Sequence, residues 1–256
     1  MLRIIDARTG QSADAAPVRR GLTRVEVHAT GHDTTALRVL LVADVLVRAL
    51  ELGGTPVWAV LSGAVDQTEL RAEAAALGVR PFEEGRDVGQ ALGAAQVIHV
   101  AEGEALLPES PAPACTGDGA PVAAEGVLIA VAPVDPPAGP PLGTDPSVLR
   151  LALISARRGR PARVDAAALD EARGTLAHWR RAVAGWARTP SRPIPGGVRN
   201  RLRAAWEDDL DVPGVLDVLH GVAADPGIPD GARFETYAYA DRLLGLELAR
   251  DLGAQA

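Results

Sequence analysis

The sequence predicts an α/β fold over residues 1–144, followed by an all-helical fold over residues 145–256. In the first part short apolar runs alternate with amphipathic stretches, a pattern typical of a parallel sheet with crossover helices. In the second part only helical patterns remain, with apolar residues three and four positions apart. The stretch 145–161 joins the two parts. We therefore predict two domains, with their boundary between residues 144 and 145.

The elements predicted in the first part are short and are separated by glycine, proline or polar turns. Strands are predicted over residues 24–29, 55–61, 96–100 and 126–132. Helices are predicted over residues 36–52, 66–77 and 86–94. Loops are predicted over residues 101–125 and 133–143, which are rich in proline, glycine or alanine and lack periodicity. This order places crossover helices between parallel strands.

The joining stretch is predicted to be a mostly buried helix. Asp145 precedes Pro146, which favours a helix start because proline fits the first helical turn. Arg157, Arg158 and Arg160 follow the apolar residues of this stretch. We expect these arginines at the C-terminal end of the helix, where the helix dipole favours positive charge.

The second part is dominated by one regular helical pattern over residues 165–188. Its apolar stripe consists of Leu169, Ala172, Leu176, Trp179, Val183 and Trp186. Such a stripe indicates a helix that packs against neighbouring helices. Three further helices are predicted over residues 198–210, 213–223 and 232–252. The short connections between them indicate a small helical bundle.

The amino-acid composition indicates a globular protein with a hydrophobic core and without disulfide bonds. With 256 residues, of which 47% are hydrophobic, the chain can bury a sizeable core. The single cysteine, Cys115, excludes an internal disulfide framework and a cysteine-rich zinc site. The sequence shows no secretory signal pattern, and its longest apolar run is too short to span a bilayer. We therefore expect a soluble cytoplasmic protein without a membrane partner.

Charge is distributed unevenly along the chain, although the net charge is only −7. Acidic side chains outnumber basic ones over residues 51–150, whereas arginines dominate residues 151–203. All 26 basic residues are arginine, and the sequence contains no lysine. Any recognition of phosphate by charged side chains must therefore use arginine.

Four segments of the chain carry a family resemblance. They are residues 2–9, Asp44-Val45-Leu46-Val47-Arg48, Asp145-Pro146-Ser147-Val148-Leu149-Arg150 and Asp208-Asp209-Leu210-Asp211-Val212-Pro213. In this order they resemble segments of the cysteinyl-tRNA synthetases, a class I aminoacyl-tRNA synthetase family, and of the related cysteine ligase of mycothiol synthesis. The resemblance implies a shortened class I synthetase-like Rossmann domain followed by a helical bundle.

The resemblance also implies an ATP site in the first strand–helix turn, at a His-Ile-Gly-His-type signature. At that place this chain has Asp33-Thr34-Thr35-Ala36, so both histidines are replaced. A carboxylate there would repel a triphosphate rather than stabilise it. The family's second signature uses lysines, which this chain lacks. We therefore expect a degenerate paralog that has lost cysteine activation, with no catalytic residue and no cofactor.

The best candidate for a ligand pocket is the turn that follows the first predicted strand. It comprises His28, Gly31, His32, Asp33, Thr34 and Thr35. Ligands of open α/β sheets bind at the carboxyl ends of strands, although a capped turn without a ligand remains the alternative. His28 stands where the family has its first zinc ligand and can itself bind zinc, but the other family ligands are absent. We therefore predict no metal site, and we interpret His99 as structural.

These observations favour a non-catalytic binding, regulatory or partner-scaffold protein, a pseudoenzyme in its family. Its partner would be another protein or an adenylate-like small molecule. One alternative is a diverged ATP-dependent ligase or aminoacyl transferase for cysteine or another amino acid, which would need ATP and zinc. Another is an RNA-binding accessory protein in which Arg157, Arg158 and Arg160 contact phosphates. Because those arginines also suit a solvated face or a cover for tryptophan, we expect weak tRNA binding at most.

Overall fold

The computed structural model describes residues 1–18, 21–62, 68–84, 96–103, 126–135 and 143–253. The helix predicted over residues 86–94, Cys115, and most of the two predicted proline-rich loops lie outside these ranges. Within them the strands are β1 Arg3–Ile5, β2 Ser12–Asp14, β3 Thr23–His28, β4 Val57–Ser62, β5 Glu83–Glu84, β6 Gln96–Glu102, β7 Val127–Val131, β8 Val134–Asp135 and β9 Ala162–Arg163. The helices are α1 Thr34–Leu52, α2 Thr68–Ala76, α3 Pro146–Ile154, α4 Ala166–Trp186, α5 Gly196–Glu207, α6 Val212–Ala224 and α7 Asp230–Leu244.

The main sheet has the strand order β5-β4-β3-β6-β7, and every neighbouring pair is parallel. The chain moves outward from β3 to β4 and β5, then returns to the other side of β3 with β6 and β7. The order therefore reverses between β3 and β6, which is the arrangement of a doubly wound, Rossmann-like sheet. This confirms the predicted α/β class with parallel strands.

Strand β3 separates an apolar face of the sheet from a polar one. Val25 and Val27 are completely buried in the same core cluster as the apolar residues of α1. Arg24, Glu26 and His28 alternate with them and are only half-buried. Because side chains alternate across a strand, these three share the opposite face of the sheet. The core therefore forms against α1, and the polar side chains line the other side.

The N-terminal hairpin was not predicted from the sequence. Strands β1 and β2 pair in antiparallel fashion and are attached to the chain between α5 and α6. The backbone N–H of Ile5 donates to Asp209 Oδ1 at 2.9 Å, and the N–H of Asp209 donates to the carbonyl of Arg3 at 2.8 Å. Two segments of the family resemblance, one near each end of the chain, are thus in direct contact.

Helix α3 begins as predicted, with the side chain of Asp145 accepting a hydrogen bond from Ser147 N at 2.8 Å. It ends at Ile154, so Arg157, Arg158 and Arg160 follow the helix, and the prediction that they form its charged end is wrong. The reason is that the chain turns back here to pair β9 with β8.

Helices α4 to α7 pack on one another and on the first part of the chain. All six residues of the predicted stripe on α4 are buried. Helix α4 packs against α3 and α7, α6 packs against α5 and α7, and α7 also packs against α1. One continuous cluster of buried apolar side chains therefore joins the sheet to the C-terminal helices. Among the helices of the described ranges, none is long and apolar enough to cross a membrane.

Candidate functional site

The carboxyl edge of the sheet between β3 and β6 is the candidate site. The strand order reverses at this point, and open α/β sheets bind their ligands outside the carboxyl ends of the strands at such a reversal. Strand β3 ends at His28, and helix α1 begins six residues later at Thr34. The residues at the end of β3 and in the turn before α1 are therefore the candidates for ligand contact.

Three polar side chains converge on the polar face of these strands. Glu26 lies directly beside His99 in the register of β3 and β6. The distance from Glu26 Oε2 to His99 Nδ1 is 3.2 Å, and His28 Nε2 lies 3.2 Å from the same nitrogen. His28 Nε2 and Glu26 Oε2 are 3.9 Å apart. We call Glu26, His28 and His99 the strand triad.

The electrostatics of the strand triad keep its carboxylate ionised. The hydrogen bond from His99 lowers the pKa of Glu26, against the opposing effect of burial, and Arg24 lowers it further. The guanidinium of Arg24 lies 2.7 Å from Glu26 Oε1. Burial, followed by repulsion from His99, lowers the pKa of His28 below its usual value. At neutral pH the triad therefore contains a carboxylate beside a neutral His28 imidazole.

The turn predicted as a ligand pocket is a capped helix start. Asp33 Oδ1 accepts a hydrogen bond from Ala36 N at 2.8 Å, so its carboxylate closes the N-terminus of α1. Thr35 is buried, and its hydroxyl accepts a hydrogen bond from Val134 N at 3.1 Å. Thr34 is also buried, but its hydroxyl has no hydrogen-bond partner in the described part of the chain. His32 and Asp33 are exposed.

The cap of α1 bears on how this turn would interact with a phosphate group. A phosphate at a helix N-terminus binds the free backbone N–H groups and benefits from the positive end of the helix dipole. At α1 the carboxylate of Asp33 already occupies this position, and its negative charge would repel the phosphate. Of the residues predicted for the pocket, His28 contacts Glu26 and His99, whereas the side chains of Asp33 and Thr35 serve the backbone.

Arg38, in the second turn of α1, was missed by the sequence analysis. Its side chain is completely buried and donates to the carbonyl oxygens of Arg160 at 2.8 Å and Arg157 at 3.0 Å. Burial lowers its pKa to about 10. Through these hydrogen bonds Arg38 holds the segment that follows α3 against α1. The signal in the sequence was an arginine between apolar residues in the first half of α1.

The three arginines predicted to contact RNA have different surroundings. Arg158 is buried: its guanidinium pairs with Asp209 and donates to the carbonyls of Ala130 at 2.9 Å and Ile5 at 2.8 Å. Arg157 is more exposed and pairs with Asp211 at 2.6 Å. The side chain of Arg160 is exposed. The donors of Arg158 are therefore used inside the protein, and only Arg157 and Arg160 are accessible to phosphate.

Comparison with known proteins relates part of the chain to cysteine ligases. The L-cysteine:1D-myo-inositol 2-amino-2-deoxy-alpha-D-glucopyranoside ligase of Acidothermus cellulolyticus is 35% identical over 106 residues, 41% of this chain and 25% of that protein. The enzyme of the same name from Streptosporangium roseum is 38% identical over 112 residues, 41% of this chain and 26% of that protein. The one from Mycolicibacterium smegmatis is 36% identical over 110 residues, with the same coverage.

The similarity is partial. The matched region spans about a quarter of the length of each of these ligases. No family model matches the chain. Together with the parallel sheet, the comparisons relate this chain to synthetase-like cysteine ligases over part of its length.

The strand triad could be predicted only in part from the sequence. His28 was singled out because it stands where the resembled family has its first zinc ligand, whereas His99 was interpreted as structural and Glu26 was not considered. His28 and His99 are 71 positions apart, so spacing along the chain gives no signal. The parallel order of β3 and β6 brings them together, and the register decides which side chains meet.

Proposed function

We propose that this chain is a binding protein on a class I synthetase-like framework, and that it does not activate an amino acid with ATP. The observation that carries the proposal is the carboxylate of Asp33, which caps the helix where the family resemblance places the ATP signature. This carboxylate uses the helix N-terminus at which a phosphate would bind. Its negative charge also repels the phosphates of a nucleotide.

Two further observations support the loss of ATP-dependent chemistry. The chain has no lysine to contact the β- and γ-phosphates as the family's second signature does. The hydroxyl of Thr35, which follows Asp33 closely, is engaged by the backbone of Val134. The side chains of Asp33, Thr34 and Thr35 therefore supply no positive charge that would stabilise the α-phosphate during adenylate formation.

The proposed ligand is a small molecule that binds where β3 and β6 lie side by side. The strand order reverses there, and Glu26, His28 and His99 offer the ligand a carboxylate and two imidazoles. An adenylate-like molecule without a triphosphate would avoid the charge of Asp33. Binding of a protein partner is the other form of this proposal.

A diverged ligase is the second candidate, and the partial identity with cysteine ligases favours it. The names of those relatives describe cysteine as a substrate, so a residual affinity for cysteine would agree with this candidate. ATP-dependent activation is what separates it from the first proposal. An RNA-binding accessory role remains a third candidate through Arg157 and Arg160.

The deciding experiment is ATP–pyrophosphate exchange with cysteine and, in parallel, with each of the other amino acids. We expect exchange no faster than in a reaction without the protein. Exchange clearly above that background would overturn the proposal in favour of the ligase. Asp33→Asn is the matched variant, because asparagine retains the helix cap but removes the charge. Isothermal titration with a non-hydrolysable adenylate analogue then tests for binding without catalysis.

A further inference from the structure

The strand triad has the geometry of a metal site. We propose that Glu26 Oε2, His28 Nε2 and His99 Nδ1 bind a divalent transition metal ion of the zinc class. The three atoms lie within 4.8 Å of one another and belong to neighbouring strands of one sheet. From the sequence alone we expected no metal site.

The distances fit the radius of such an ion. Donors bound tetrahedrally to zinc at about 2.0–2.1 Å lie about 3.3–3.4 Å from one another. In the strand triad two of the separations are 3.2 Å and the third is 3.9 Å. The point in the plane of the three atoms that is equidistant from them lies about 2.0 Å from each, which is close to the length of a zinc–nitrogen or zinc–oxygen bond. An ion of the zinc class therefore fits close to this plane.

The donor chemistry favours the same class of ion. Two imidazoles and one carboxylate suit zinc and similar transition metals, whereas magnesium and calcium prefer sites made of oxygen atoms.

A surrounding contact orients the carboxylate. Arg24 binds Glu26 Oε1 at 2.7 Å, so the other oxygen, Oε2, faces the two histidines. Partners of this kind orient metal ligands and tune their basicity. The three ligands also stand on central strands of the sheet rather than on loops, which fixes their separations.

The proposed ion would lie on the polar face of the sheet between β3 and β6, the two strands at which the strand order reverses. Three protein ligands leave one position of a tetrahedral ion for water or for a donor atom of a small molecule. The inference does not depend on the proposed function, because an ion can anchor a bound molecule whether or not ATP is used.

The test is metal binding by the complete chain, purified without a histidine tag and stripped with a chelator. We expect one equivalent of Zn²⁺ by isothermal titration and by elemental analysis after dialysis. Co²⁺ bound in its place should show the visible absorption bands of a four-coordinate ion with nitrogen ligands. These bands require direct ligation, so a change in stability alone would not produce them.

Variants identify the ligands. Loss of an outer contact to a metal ligand typically lowers affinity about 10–100-fold, so His28→Ala and His99→Ala should each lower Zn²⁺ affinity at least about 100-fold. His178→Ala is the matched control, because His178 is exposed on α4 and outside the strand triad. It should leave the affinity unchanged. Glu26→Gln should weaken binding with little effect on the fold, which circular dichroism checks for every variant.

Two results would overturn the inference. Absence of a stoichiometric Zn²⁺ site in the folded protein would show that the strand triad is a hydrogen-bonded network only. Binding that survives both His28→Ala and His99→Ala, or that His178→Ala weakens equally, would place the ion elsewhere.

Discussion

The carboxylate of Asp44 and the guanidinium of Arg150 form an ion pair 2.7 Å long in the interior of the protein. Their side chains are 1% and 0% exposed. Arg150 also donates to the carbonyl oxygens of Leu77 at 3.0 Å and Leu244 at 2.6 Å. This one side chain of α3 therefore links α1, the end of α2 and the end of α7. Two of the segments that carry the family resemblance meet at this pair.

Removal of Arg150 should destabilise the protein strongly. In Arg150→Met the buried carboxylate of Asp44 keeps only Arg48 and the half-exposed Arg80, at 2.8 Å and 3.3 Å. Breaking a buried pair typically costs about 3–5 kcal/mol, because one charge remains in a poorly solvated site. We expect a loss in this range in urea denaturation, reduced somewhat by the two remaining arginines.

The control for this prediction is Arg173→Met on α4. Arg173 pairs with Asp170, and both side chains are more than half exposed. An exposed pair contributes about 0–1 kcal/mol, so this variant should unfold close to the wild type. Equal effects of the two substitutions would mean that the Asp44–Arg150 pair does not stabilise the fold.

Acid should weaken the contribution of Asp44 in a defined pH range. Burial alone would raise the pKa of Asp44, but Arg150 and Arg48 outweigh burial and hold the pKa below its usual value. An unfolded aspartate titrates near pH 3.9. Because the folded pKa is lower, the stabilisation is complete above the unfolded pKa and is lost as the pH falls through the folded pKa.

Comparison of the wild type with Asp44→Asn measures this effect. We expect the difference in unfolding free energy to be constant at neutral pH and to shrink below about pH 4. Asp241 on α7 acts in the opposite direction, because burial raises its pKa, but it is present in both proteins. A difference that does not change with pH would show that Asp44 has no altered pKa in the folded state.

Elements whose ends are set by neighbouring residues could be predicted from the sequence more accurately than those that depend on distant contacts. Helix α1 was predicted almost to its ends, because its apolar run and the following Gly53 are local features. The helix predicted over residues 232–252 runs eight residues past the end of α7 at Leu244, since apolar residues continue there. Gly245, with a φ of 61°, ends it in a left-handed cap, and the carboxylate of Asp241 accepts the N–H groups of Leu246 and Leu248.

The missed parts of the fold and of the site share a physical cause. Strand β1 has three residues and depends on Asp209, about two hundred positions away. The strand triad likewise depends on the register of β3 and β6. Each of these contacts joins residues that are far apart along the chain. Such contacts produce no periodic pattern in the sequence from which they could be predicted. The capped turn at Asp33 was recognised because its contact spans only three residues.

Trp179 on α4 should be a major contributor to stability. It is 1% exposed, and its ring packs against His220 and edge-on against Tyr237 at centroid distances of 5.0 Å and 5.7 Å. Truncation of a large core side chain typically costs about 3–5 kcal/mol, so we expect Trp179→Ala to lose an amount in this range. Thermal or urea denaturation measures it.

A milder substitution separates packing from other effects. Trp179 Nε1 is buried without a hydrogen-bond partner in the described part of the chain, so Trp179→Phe removes an unsatisfied donor and keeps most of the ring. It should cost clearly less than Trp179→Ala. Near-wild-type stability of Trp179→Ala would indicate instead that this face of α4 serves as an interface for another chain.

Binding of bulk tRNA should be weak and dependent on salt. The chain has a net charge of −7, and Arg158 is committed to Asp209 inside the protein. We expect a Kd no tighter than typical non-specific binding, about 10⁻⁴–10⁻⁶ M at physiological salt, because the acidic chain as a whole repels phosphates. Fluorescence titration at several salt concentrations measures both the affinity and its salt dependence.

The structure determines which variants can test an RNA role. Changing Arg157, Arg158 and Arg160 together would confound RNA contact with loss of the Arg158–Asp209 pair. Arg157→Gln with Arg160→Gln leaves that pair intact, and Arg158→Gln alone reports on stability. A Kd well below micromolar that weakens in the double variant, at unchanged stability, would favour the RNA-binding role over the proposed binding of a small molecule. If the affinity for tRNA falls only in Arg158→Gln, and the stability of that variant falls as well, the effect is structural and the arginines do not contact RNA.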